Sequence, residues 1–162
     1  MIIEKTLGNI NKDSLDKQII PVFFEWFELE KKRIRKTAEN GEDFAIAISS
    51  PLADGDILAE TDKDTYVVKV IPTNLLKVNV TTMMEMGRAC FELGNRHLSP
   101  KISENSVKVV YDEPTFLYMK KLGFDVEQVT EEFTDFIVCK AHGHSHDHDH
   151  EDHHHTHGEH HE

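Results

Sequence analysis

"LLKVNVTTMMEMGRACFELGNRHLSP", residues 75–100, is where the pattern of this chain changes. Its first six residues are apolar and alternating, as a strand is. Thr82, followed three residues on by Glu85, then forms a capping box, in which each side chain satisfies an orphan backbone donor of the other. A helix therefore begins at Met83. Along it Met83, Met86, Cys90 and Leu93 recur at spacings of 3, 4 and 3, the narrow seam a helix shows to one partner. The next step of 4 lands on His97. Gly94-Asn95 reads as a helix stop, so His97 is expected at or just past the end of the seam.

Downstream, "SVKVVYDE" reads as a strand and "PTFLYMKKLGF" as a helix, with Pro114 near its start and Gly123 at its end. "DVEQVT" and "DFIVCK" read as two further short strands. The order β-α-β-β-α-β is that of a ferredoxin-like split βαβ domain, here expected over residues 75–140. The pairing rests partly on Val126–Thr130 being a strand.

Upstream the pattern is β. "IIEKTLG" and "PVFFEWFEL" are short apolar or alternating runs. "RIRKTAENGEDFAIAIS" is a hairpin, with Asn40-Gly41 near its turn and Phe44, Ile46 and Ile48 on one face. "ADGDILAE" carries an Asp-Gly turn, and "TYVVKVIP" is a strand stopped by Pro72. Together these predict a small β-domain over residues 1–71, and an α+β chain overall. The basic run Lys31, Lys32, Arg33, Arg35 and Lys36 reads as a solvated strand face.

The chain closes on "HGHSHDHDHEDHHHTHGEHHE". This stretch carries His142, His144, His146, His148, His150, His153, His154, His155, His157, His160 and His161, eleven of the twelve histidines. It has no aliphatic or aromatic side chain to offset an ordering cost of about 1–2 kcal/mol per residue, so residues 141–162 are expected to form a disordered tail. Neutral imidazole suits Ni, Cu, Zn and Fe, and alternating H-x-H spacing lets neighbouring rings close on one ion. A purification tag is usually an unbroken run, whereas this one is interrupted by Asp, Glu, Ser, Thr and Gly.

The tail's six carboxylates, with no lysine or arginine beside them, supply half of the formal charge of −12. So acidic a chain makes a poor nucleic-acid binder. "MIIEKTLGNI" lacks the basic and apolar regions of a secretory leader, and no apolar run approaches the roughly 18 residues of a membrane span. Cys90 and Cys139 make no disulfide framework and fit a reducing cytoplasm.

One body histidine cannot hold a transition metal alone, since three or four ligands are usual for a firm site. A two-fold dimer changes that count, because a residue near the axis meets its own copy and tail imidazoles can complete the shell. The bland alternative for His97 is a histidine capping helix carbonyls. Met83 and Met86 read as core or interface packing rather than thioether ligands, and Cys90 as a small buried hydrophobe. Cys139, three residues before His142, reads as a strand-end core cysteine that could lend a thiolate.

"ELGNRHLSP", residues 92–100, resembles the signature of the UreE family, the urease accessory proteins that act as nickel chaperones. "TTMMEMGRACFELGNRHL", "VVYDEPTFLYMKKLGF", "KKRIRKTAENGEDFAIAI", "DGDILAE" and the His-rich end look like the same family in the same order. The resemblance implies an N-terminal domain that binds partner segments, a ferredoxin-like metal-binding domain and a homodimer. It also implies Ni²⁺ held by His97 from both subunits and handed to the urease apoprotein with an accessory GTPase complex. The strand after the signature helix in some members carries extra histidines. Here it reads Val109-Val110-Tyr111-Asp112-Glu113, so those peripheral sites are not expected, and Asp112 and Glu113 read as a solvated strand end.

The reading is thus a cytoplasmic, dimeric nickel metallochaperone and not an enzyme. One body histidine permits no Ser/His/Asp or Cys/His arrangement unless it serves alone, and no G-x-x-x-x-G-K-[ST] phosphate loop is present. Zn²⁺ and Cu²⁺ suit the same ligands, and the Irving–Williams order favours copper, so nickel rests on the resemblance. The alternatives are a nickel or zinc storage buffer in which the tail is the functional element, and a hydrolase with a dimeric His97 metal site.

Overall fold

The computed structural model describes residues 1–10 and 17–138; Cys139 and the eleven tail histidines lie outside them. In chain order the strands are β1 (Ile2–Ile3), β2 (Gly8–Asn9), β3 (Gln18–Phe24), β4 (Arg33–Thr37), β5 (Asp43–Ala47), β6 (Asp56–Glu60), β7 (Asp64–Val70) and β8 (Thr73–Asn79). Helix α1 (Met83–Asn95), β9 (Lys101–Ser103), β10 (Ser106–Val110), α2 (Glu113–Lys121) and β11 (Asp125–Glu131) follow.

The first seven strands make two sheets, β1-β5-β4 and β2-β6-β7-β3, with β1 and β3 each pairing in parallel. The expected hairpin is β4–β5. Gly41 supplies the positive φ of 90° that its turn needs, and Phe44, Ile46 and Ile48 are all buried. They join Val22, Phe24, Tyr66 and Val68 in the core of this half. "PVFFEWFEL" is only half a strand. β3 ends at Phe24, and Trp26–Glu28 turns as a 3-10 helix closed by a Glu25/Glu28 capping box. In the basic run Arg33 and Arg35 are exposed, as expected of a solvated face. Lys36 is not: it pairs with Glu28 at 2.6 Å and lies over the Phe24 ring.

The second half is a four-stranded antiparallel sheet, β11-β8-β10-β9. Leu76, Val78, Val107 and Val109 project from it onto Ala89 and Leu93 of α1 and Met119 of α2. Asp125–Glu131 is a strand, paired along its whole length with β8. Of the two middle strands, β10 is the "SVKVVYDE" strand read from sequence, and β9 is one the sequence reading lacked. They are the hairpin β9–β10, in which Val107 faces Ile102. "DFIVCK" is no strand over 135–138; there Phe136 packs against Phe133, while Ile137 and Val138 are exposed.

That segment crosses back onto the first half. Phe133 is fully buried, stacks on Phe136 with centroids 4.7 Å apart, and meets the Trp26 ring edge-on at 5.5 Å. Lys69 of β7 pairs with Asp54 and with Glu132 beside it. Farther along, the Ile137 N–H donates to the Pro100 carbonyl at 2.8 Å.

Candidate metal centre

His97 is placed by the two ends of α1. At the start the Glu85 N–H donates to the Thr82 hydroxyl at 3.1 Å. The Glu85 carboxylate in return accepts the amides of Thr81 and Thr82 at 2.7 and 3.2 Å. The capping box read from sequence is therefore formed.

The far end differs from expectation. Gly94 and Asn95 are still helical, and Arg96 caps the helix at φ −90°. His97 then enters the left-handed region at φ 56°. Its N–H donates to the Gly94 carbonyl at 2.9 Å, and the Leu98 N–H reaches the Leu93 carbonyl at 3.4 Å. This is a Schellman closure, with half-buried Leu98 packed on the same core as Leu93. The position that glycine usually fills is filled by His97, and its side chain is exposed.

The seam is also displaced. Ala89 and Leu93 are the buried residues of α1, and Met86 and Cys90 are partly buried against the same core. Met83 is 91% exposed, because the first turn overhangs that core. One residue along, Met84, Gly87, Phe91 and Gly94 repeat the 3, 4, 3 spacing on the open side. Met84 is 83% and Phe91 66% exposed, and apart from the helix's own neighbouring residues nothing lies within 4 Å of where a Cβ on either glycine would stand. A single chain thus shows water an apolar stripe that runs toward His97.

Beside His97 an open cleft of about 620 Å³ is lined by Asn95, Arg96, Leu98, Tyr111, Asp112 and Thr115 among others. The Arg96 Nε–H donates to the Thr115 hydroxyl at 2.8 Å, and its guanidinium carbon lies 5.3 Å from the centre of the Tyr118 ring. The Tyr118 hydroxyl donates to the Glu92 carboxylate at 2.7 Å, a bond that pushes the phenol pKa up. Asp112 is engaged as the cap of α2, accepting the Thr115 N–H at 3.1 Å, so it is not a bare solvated carboxylate. Glu113 opens that helix. Cys90 holds its sulfur 3.9 Å from that of Met86, and burial pushes its thiol pKa up, which suits a packing role.

Among the described residues, no three His, Cys, Asp or Glu side chains stand together as an ion would need. His97 is the only histidine among them. The tail ligands named from sequence, and Cys139, fall outside. Sequence reasoning had Arg96 only as a letter of the motif. Its partners Thr115 and Tyr118 lie on another helix, and no spacing along the chain joins them.

The family model for the UreE urease accessory protein N-terminal domain matches residues 3–70, and that for its C-terminal domain matches residues 73–162. The chain is similar to the urease accessory protein UreE of Bifidobacterium longum subsp. infantis. The two are 46% identical over 144 residues, which cover 88% of this chain and 65% of the length of that relative. It is also 33% identical over 146 residues to the urease accessory protein UreE of Acetivibrio thermocellus, covering 88% of this chain and 95% of the other. The Flavobacterium johnsoniae protein of the same name is 30% identical over 141 residues, covering 85% and 86%.

Proposed function

This chain belongs to the UreE family of urease accessory proteins, and from that membership we propose that it serves urease maturation by binding Ni²⁺ and delivering it to the urease apoprotein. The role is one of assembly and transfer, not catalysis. The observation that carries the reading is the setting of His97: an exposed imidazole at the end of an apolar, uncovered face of α1. A homodimer formed through that face would cover Met84 and Phe91 and bring two His97 rings to one ion across the two-fold axis.

His142, His144, His146, His148, His150, His153, His154, His155, His157, His160 and His161 would then gather further ions and complete the shell around the shared one. The β-α-β-β-α-β order supports a ferredoxin-like reading of residues 75–140 as the metal-binding domain. Residues 1–71 are assigned to partner binding, with the accessory GTPase complex among the partners. The setting is cytoplasmic; no helix of the described residues is long and apolar enough to cross a membrane.

The test compares wild type, a chain truncated before Ala141, and His97→Ala. Truncation should remove most of the bound nickel, about three to five ions per chain at two to four imidazoles each, and spare a tighter ion per dimer. His97→Ala should do the reverse and be the more damaging change in urease activation at limiting nickel. Equal activation by wild type and His97→Ala, with the truncated chain inert, would instead establish a storage buffer.

A further inference from the structure

We propose that Arg96 is a positioning residue for the metal site: it ties the last turn of α1 to the first turn of α2 and so fixes where His97 stands. The inference rests on the His97 site proposed above. Helix ends fray, because their last carbonyls lack partners within the helix. α1 has no basic residue in its last turn, and His97 lies one peptide beyond its cap. The Schellman bonds of His97 and Leu98 close that end along the chain, and the Arg96 side chain is what ties it to the neighbouring helix.

Its anchor is firm. Thr115 is 1% exposed, and its own N–H is held by Asp112 at the start of α2. The flat guanidinium covers Tyr118, which is tied back to Glu92 of α1. Arg96, Thr115, Tyr118 and Glu92 thus link the two helices at the turn that carries His97. Lysine would keep the charge but lose the directed Nε–H bond to Thr115 and the guanidinium's contact over the Tyr118 ring.

The experiment uses the full chain and measures Ni²⁺ retention against a competing chelator, in wild type, Arg96→Lys, His97→Ala and the double variant. Arg96→Lys should lower the affinity for the tight ion about tenfold or more, as loss of a group supporting a metal ligand does. In the His97→Ala background it should cost nothing further, since a residue acting through His97 has nothing left to act on. Thr115→Val should reproduce the loss and Thr115→Ser, which retains the oxygen, should restore most of it. Apo melting temperatures should stay within a few degrees throughout.

Wild-type affinity in Arg96→Lys while His97→Ala loses the tight ion would overturn the positioning role alone. An equal loss in both backgrounds would also overturn it, showing a general structural effect. A tight ion that survives His97→Ala would remove the metal reading and this inference together.

Discussion

The Leu98 amide reaches back to the Leu93 carbonyl at 3.4 Å, and His97 is the residue bent over between them at φ 56°. A left-handed conformation disfavours any side chain with a Cβ, histidine less than most. His97→Gly should therefore raise the apo stability by about 0.5–1 kcal/mol, even though it deletes the proposed ligand. Thermal unfolding of the metal-free protein checks this, together with loss of the tight nickel ion. A lower melting temperature in the glycine variant would mean that the imidazole makes a stabilising contact of its own.

Acid should loosen the start of the same helix. The Thr81 amide, then its hydroxyl, then the Thr82 amide hold the Glu85 carboxyl below its usual 4.5. A lowered folded pKa gives stability that is complete above the ordinary value and is lost as pH falls through the folded one. Glu85→Gln keeps an acceptor but not the charge. It should be less stable than wild type near neutrality and converge with it once the pH falls below the lowered folded pKa, where both side chains are neutral. A gap in melting temperature that stays constant to that pH would show that the charge contributes nothing.

Phe133→Ala should unlock the contact between the two halves of the chain. The ring is fully buried between Trp26 and Phe136. Its removal should cost about 3–5 kcal/mol. Trp26 is the sole tryptophan and touches the ring directly, so its fluorescence during denaturant unfolding reports the change. An unchanged midpoint would show that the cluster adds nothing to the fold.

Local rules carried the sequence reading a long way. Thr82 and Glu85 are three residues apart and cap the helix as read, and Asn40-Gly41 turns the hairpin it was expected to turn. The errors arose where distant contacts decide. β9 is three residues long with one large apolar side chain, Ile102, and it leaves no periodic trace. "DFIVCK" holds a short apolar run as a strand does, yet Phe136 stacks on Phe133 instead of joining a ladder. The seam through Met83, Met86, Cys90 and Leu93 was right only where the sheet lies beneath it. The motif histidine was legible, but its setting was not. Gly94 looked like the helix stop because glycine usually is one, and here His97 takes that part.

The bond from Ile137 to Pro100 also ties the segment after β11 to the loop after α1. Pro100 is three residues past His97, and Ile137 is five residues before His142. The loop that follows His97 is thereby latched to the same segment that carries Phe133 and Phe136 onto Trp26, so loosening that aromatic cluster should be felt beside His97 as well.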